Sequence, residues 1–121
     1  MTLIAAIRKQ LKRFPRHEPF VSRQLFKLGS PTVVRKHLSY LTKQGVIRRA
    51  ARGVYVLARN GRVTDEQIAL AVAKAGKYRA RLIARRPGES VFLTDGPTRR
   101  IKLKRGRLLM RHVNPHTFEM L

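Results

Sequence analysis

The chain has 121 residues, with 28 Lys plus Arg against 6 Asp plus Glu and a formal net charge of +22. Such an excess opposes compaction unless an anion neutralises it, which points to nucleic acid, an anionic membrane surface or an acidic protein as partner. Apolar residues at 43% leave enough for a core; the lack of Cys excludes disulfides, thiolate metal sites and cysteine nucleophiles, and no apolar run approaches the roughly 18 residues of a membrane span.

The N-terminus, MTLIAAIRKQLKRF, lacks the signal-peptide order of charge, apolar run and small-residue cleavage site. The expected location is cytoplasmic and nucleoid-associated. Residues 2–14 place Leu3, Ile7, Leu11 and Phe14 on one helical face and Arg8, Lys9, Lys12 and Arg13 elsewhere. Basic amphipathic helices can also lie on membranes. A core helix is preferred because more core pattern follows at once. Pro15 ends it. Pro19-Phe20-Val21 reads as extended. Ser22 is expected to cap a brief helix, Arg23 to Lys27, and Leu28-Gly29 reads as a turn.

Ser30 is a good N-cap and Pro31 suits the first helical position. The helix should run to about Gln44, with Gly45 at the position after its cap. Val34, Leu38 and Leu41, three and four apart, form its buried stripe. VIRRAARGVYVL then predicts a hairpin: strand Val46 to Arg48, a turn over Ala50 to Gly53, strand Val54 to Leu57. Helix, short helix, turn, helix, basic hairpin is the order of a winged helix-turn-helix. In a helix-turn-helix the second helix enters the major groove with its N-terminal residues on base edges. Thr32, Val33, Arg35, Lys36, Ser39 and Lys43 lie on the faces left for that task. Arg pairs with guanine O6 and N7, and Thr and Val methyls meet a thymine methyl. Ser30 opens a helix N-terminus toward a phosphate. Arg23 joins this set from the preceding helix, and Arg48, Arg49 and Arg52 join it from the hairpin. The competing reading is a basic helix face that is merely solvated. Agreement of cap, stripe, turn and hairpin favours the groove.

Arg59-Asn60-Gly61-Arg62 reads as a turn or linker. Thr64-Asp65-Glu66-Gln67 is a capping box that starts a helix through Ala75. Ile68, Ala71, Val72 and Ala75 are expected inward, and Gly76 is expected to end the helix. Asp65 and Glu66 suit the helix dipole rather than catalysis. KYRARLIARR, residues 77–86, alternates as a strand, although it also makes a passable helix. Pro87-Gly88 is a turn. SVFLT, TRRIKLK and RLLMRHV then read as three strands of a small antiparallel meander, and Asn114 caps a terminal turn. Residues 1–57 hold 13 basic and 1 acidic residue and residues 58–121 hold 15 and 5, so the halves carry +12 and +10. Arg79, Arg81, Arg99, Arg100, Lys102, Lys104 and Arg107 are therefore candidate additional phosphate contacts.

The expected fold class is α+β. A winged helix-turn-helix over residues 1–58 precedes a linker helix and a small basic β-meander over 59–121. No carboxylate pair suits acid/base work, and His112 and His116 are separated by Asn114-Pro115, so no enzyme, metal site or cofactor is expected. His17 and His37 read as phosphate contacts or surface residues.

Phe20 to Leu25, Val33 to Leu41, Gly45 to Arg49, Arg52 to Tyr55, Phe92 to Arg100 (FLTDGPTRR) and the strand ending Arg111-His112-Val113 carry a resemblance over most of residues 1–113. The chain resembles the AbiEi-type antitoxins of abortive-infection toxin–antitoxin systems and their single-domain transcriptional-regulator relatives. The resemblance implies a sequence-specific double-stranded DNA-binding repressor that controls its own operon, acting as a homodimer or in pairs on repeats. Two alternatives stand beside it. One is a basic RNA- or nucleoid-type binder, although 3 Tyr and 5 Phe give no stacking cluster. The other is an antitoxin that contacts a toxin protein directly.

Overall fold

A computed structural model describes residues 2–15, 17–59 and 61–121. Among them the chain is α+β, with four α-helices and two sheets. It divides into two compact units, Met1–Val63 and Thr64–Leu121.

In the first unit, α1 is Leu3–Arg13, and the Thr2 hydroxyl accepts from the Ala5 amide at 3.2 Å. Phe14 turns extended because Pro15 disfavours helix in the residue before it. β1 is Phe20–Val21, followed by a 3-10 helix, Ser22–Leu25. Ser22, expected from the sequence to cap that helix, instead lies inside it and is buried. The cap is made instead by the Gln24 side chain, which accepts from the Val21 amide at 2.8 Å. Ser22 is taken up elsewhere, its amide donating to the Gly53 carbonyl at 2.9 Å.

α2 is Pro31–Lys43, with the Ser30 hydroxyl accepting from the Val33 amide at 3.3 Å. Gly45 follows at φ +76°, the left-handed conformation glycine tolerates without a Cβ penalty. β2 is Ile47–Ala51 and β3 is Val54–Leu57, joined through Arg52-Gly53. The first strand thus reaches three residues beyond Arg48. A bulge between Arg49 and Ala51 absorbs the extra residue, so the turn is tighter than the four residues expected. β3 lies between β1 and β2, antiparallel to both. Ile7, Leu11, Phe20, Leu25, Val34, Leu38, Leu41 and Ile47 form one core cluster. Phe20 stacks between Phe14 at 5.0 Å and Tyr55 at 5.9 Å. Arg59, Gly61 and Arg62 follow the hairpin; Asn60, expected within that linker, lies outside the described residues.

In the second unit, α3 is Asp65–Gly76 behind the Thr64–Gln67 capping box. Its buried residues are Ile68, Ala69, Val72 and Ala73 rather than Ala71 and Ala75. Helical spacing alone allowed either neighbouring stripe. The cap is Lys77, left-handed at φ 63°, not Gly76. Gly76 serves a different purpose: a Cβ there would fall 2.1 Å from the Tyr78 ring.

β4 is Ala80–Arg86, β5 Glu89–Thr94, β6 Arg99–Lys102 and β7 Arg107–His112; α4 is Pro115–Glu119, capped by Asn114. The expected antiparallel meander is not formed. The order is β4-β5-β7-β6, and β7 runs parallel to β5. Burial explains the exchange. β5 buries Ser90, Val91, Phe92 and Thr94, and β7 buries Leu108 and Met110, whereas β6 buries Ile101 alone. The strands with most to bury take the centre, and the mostly polar β6 goes to the edge. Because β6 and β7 form a hairpin, β7 must enter beside β5 in the parallel sense.

Candidate nucleic-acid interface

α2 separates its two faces sharply. Val34, Leu38 and Leu41 are fully buried. At about 100° per residue, Thr32, Lys36, Ser39 and Lys43 fall in a sector about 60° wide on the opposite side. All four are exposed. They present two ammonium groups and two hydroxyls, which suit phosphate oxygens and base edges. Ser30 at the start of this face accepts from the Val33 amide, which leaves its hydroxyl proton to donate elsewhere.

Arg35 stands on one flank of this stripe. Its guanidinium lies 5.3 Å from the centroid of the Phe26 ring, which restrains a long side chain before any ligand arrives. Val33 and Tyr40 form the other flank, 41% and 50% exposed. The sequence reading passed over Tyr40, although its seven-residue spacing from Val33 was visible. An exposed valine and an exposed phenol on one flank offer apolar contact beside the cations.

The hairpin divides its arginines. Adjacent strand residues point to opposite faces, so Arg48 and Arg49 cannot serve one surface. The Arg48 guanidinium donates to the Gly61 carbonyl at 3.0 Å, and Arg49 Nε donates to the Ala51 carbonyl at 3.4 Å. Arg52 is exposed at the turn, where Gly53 takes φ +75°. The Ser22–Gly53 hydrogen bond ties this turn to the start of the 3-10 helix. Arg52 and Arg23, also exposed, each lie one residue along the chain from that bond. His17 is exposed and His37 half-buried.

In the second unit the candidate cations fall into two groups. Arg99, Arg100, Lys102 and Lys104 are exposed. Arg79, Arg81 and Arg107, also candidates, already have acceptors within the unit. Arg107 Nε donates to Glu89 Oε2 at 2.7 Å, and the Arg81 guanidinium reaches the Leu121 carbonyl. Arg79 binds Asp95 twice, through its amide to Oδ1 at 2.7 Å and through Nε to Oδ2 at 2.9 Å. Its Nη1 approaches Glu119 at 3.6 Å, and its guanidinium lies 4.7 Å from the Phe118 ring centroid.

The Thr94-Asp95-Gly96 segment is therefore a clasp around Tyr78 and Arg79. The buried Thr94 hydroxyl donates to the Arg79 carbonyl at 2.6 Å and accepts from the Gly96 amide at 3.0 Å. A Cβ on Gly96 would fall 2.3 Å from the Tyr78 ring, so only glycine leaves room for it. The Arg79 amide, joined by its side chain, holds the Asp95 carboxyl below the ordinary value of 3.8. A carboxylate with a depressed folded pKa stabilises the fold above its unfolded value and loses that contribution as pH falls through the folded one. Asp95→Asn should therefore be less stable than the parent at pH 7, with the gap closing at acid pH. Urea midpoints across pH 2–7 test this, and a gap independent of pH would remove the charge from the explanation.

No helix among the described residues is long and apolar enough to cross a membrane. No group of three or more His, Cys, Asp or Glu among them is placed to hold a metal ion. The profile of a family described only as one of unknown function, DUF6088, matches residues 6–120. No curated protein and no solved structure matches the chain.

Proposed function

This chain belongs to the DUF6088 family, and we propose that it is a sequence-specific double-stranded DNA-binding repressor. The observation that carries the reading is the outer face of α2: Thr32, Lys36, Ser39 and Lys43 exposed as one stripe, on the side opposite a fully buried core stripe. Its support is the setting. The first unit runs α1, β1, 3-10 helix, α2, β2, β3, with β3 central in the sheet. That is the order of a winged helix-turn-helix, in which α2 is the helix for the major groove and the β2–β3 hairpin the wing. The net charge of +22 supplies the sequence-independent attraction to phosphate. The likeness of the FLTDGPTRR segment and the hairpin to AbiEi-type antitoxins favours autorepression of an operon. Paired copies would then sit on half-sites about one helical turn apart. In this reading the chain is not an enzyme, and its cations bind and position DNA.

The roles divide by geometry. Thr32, Arg35 and Lys36 read base edges from the first half of α2. Arg23 and Arg52, each one residue along the chain from the Ser22–Gly53 bond, hold the backbone. Arg48, directed to Gly61, has the weaker claim on DNA. Arg35→Ala should cost about 1–3 kcal/mol on the preferred site and relax preference at one or two base pairs. Arg52→Ala should weaken preferred and scrambled DNA alike and lower the salt slope by roughly one unit. The experiment is a titration of DNA from upstream of the gene against scrambled duplex and RNA of equal length, at two salt concentrations. Equal affinity for all three at both salts would overturn the reading. If Arg35→Ala weakens every duplex by one factor, α2 is not the reader.

A further inference from the structure

We propose that the outer edge of β6 is a docking site for an extended acidic segment of a partner protein, which adds to the four-stranded sheet as a fifth strand. The proposal goes beyond the DNA reading and does not rest on it. β6 ends the order β4-β5-β7-β6, so one side of it faces no strand. Two hydrogen bonds fix which of its backbone groups face that side. The His112 amide donates to the Thr98 hydroxyl at 3.0 Å, and the Leu103 amide donates to the Gly106 carbonyl at 3.0 Å. Both bonds run between β7 and the β6 side. The Arg107 and Val113 amides point the other way, to the Gly88 and Thr94 carbonyls at 2.9 and 2.8 Å. In an antiparallel ladder, hydrogen-bonded and non-hydrogen-bonded pairs alternate. Ile101 opposite Leu108 and Arg99 opposite Met110 are therefore bonded pairs, in phase with Leu103 opposite Gly106. Arg100 and Lys102 then send their amides and carbonyls outward. Among the described residues no partner meets those groups.

The side chains select the guest. Arg99, Arg100, Lys102, Lys104 and Arg105 are exposed, and no ion pair among the described residues includes them. Glu89, two strands away, is held by Arg107 at 2.7 Å. Cations along an edge guard it against indiscriminate pairing. A second copy of β6 would set like charges opposite one another, which is unfavourable. A duplex would meet the cations but set phosphate oxygens against the outward carbonyls, acceptor on acceptor. A peptide strand supplies a donor for each carbonyl and an acceptor for each amide. Carboxylates at its alternate residues then meet Arg100 and Lys102, which share one face of the sheet. The opposite edge, β4, is less suited, because its register with β5 shifts between Leu82 and Ala84.

The test uses the full chain and a capped peptide of about seven residues that alternates valine and glutamate, the length of an ordinary strand. Saturating peptide should slow amide exchange at Arg100 and Lys102 by about tenfold, while Arg99 and Ile101, already bonded to β7, change little. An antiparallel guest points its glutamate amides at β6 and its valine amides away. Methylating the glutamate amides should weaken the peptide by about tenfold or more, and methylating the valine amides by less than about twofold. The reverse order of losses keeps the edge as the site and makes the guest parallel. Lys102→Pro leaves the ladder to β7 intact, because the amide it removes points outward. It should weaken the peptide at least about fivefold more than Lys102→Gln, which removes the charge alone. The two variants should bind scrambled duplex alike, and amide NMR spectra establish that both are folded. A peptide that fails to bind at about 1 mM, or equal losses from the two methylated sets, overturns the proposal. Protection of Arg100 and Lys102 by duplex assigns the edge to nucleic acid, and protection that grows with protein concentration alone assigns it to a second copy; either result also overturns it. A chain that binds the peptide but no duplex overturns the DNA reading alone and leaves this one standing.

Discussion

Leu38→Ala should destabilise the first unit by about 2–5 kcal/mol. Leu38 is fully buried in the middle of the α2 stripe, between the equally buried Val34 and Leu41. It belongs to the core cluster that α1, the 3-10 helix and β2 also enter through Ile7, Leu25 and Ile47. Truncation removes its transfer free energy and leaves a cavity that three elements must close at once. A unit of this size has few kcal/mol to spare, so the loss is a large share of its stability. The functional consequence follows from the two faces being one helix. If Leu38 no longer anchors α2, the Thr32–Lys36–Ser39–Lys43 stripe loses its fixed orientation, although none of those residues has changed. Lys36→Ala makes the complementary variant: stability within about 0.5 kcal/mol of the parent, with weakened DNA binding. Urea titration followed by residue-resolved amide NMR, paired with a DNA titration at low temperature, separates the two effects. A loss below about 1 kcal/mol for Leu38→Ala would contradict the packing described for it.

Phe92→Ala should cost the second unit about 3–5 kcal/mol. Phe92 is fully buried in β5, with Leu82 opposite it on β4 and Met110 opposite it on β7. Both flanking strands and α3 share that side of the sheet, so no single neighbour can move in to fill the space. Phe92→Leu, which keeps most of the volume, should cost much less. Urea midpoints read on the amides of β5 and β7 measure both. Equal losses for the two variants would mean that strand pairing, rather than cavity formation, sets the cost.

The elements that sequence reading located are those whose causes lie within a few residues. Ser30 and Val33, Thr64 and Gln67, and Asn114 and Thr117 are capping pairs three apart. The Val34–Leu38–Leu41 stripe follows from helical spacing alone, and its opposite face is then known as well. The alternation in residues 77–86 favoured a strand without excluding a helix, and a strand forms over Ala80–Arg86. The outer face of α2 and the turn carrying Arg52 were legible for the same reason: each is a local pattern read against a local period.

What the tertiary structure decided are matters of distant partners. The exchange of β6 and β7 depends on which strand buries more apolar surface once the sheet forms, and no local pattern encodes a neighbour's burial. Arg79, Arg107 and Arg48 looked like free cations until the fold brought them to Asp95, Glu89 and Gly61, which lie 16, 18 and 13 residues away. Lys77, not Gly76, takes the left-handed cap, and a Cβ on either Gly76 or Gly96 would meet the Tyr78 ring, a requirement set by two glycines 20 residues apart. Composition and spacing by themselves determined that the chain is basic and α+β and that α2 has a polar outer face. Which of its arginines remain exposed and unpaired on that surface was decided by long-range packing, because a guanidinium goes to the nearest carboxylate or carbonyl that the fold supplies.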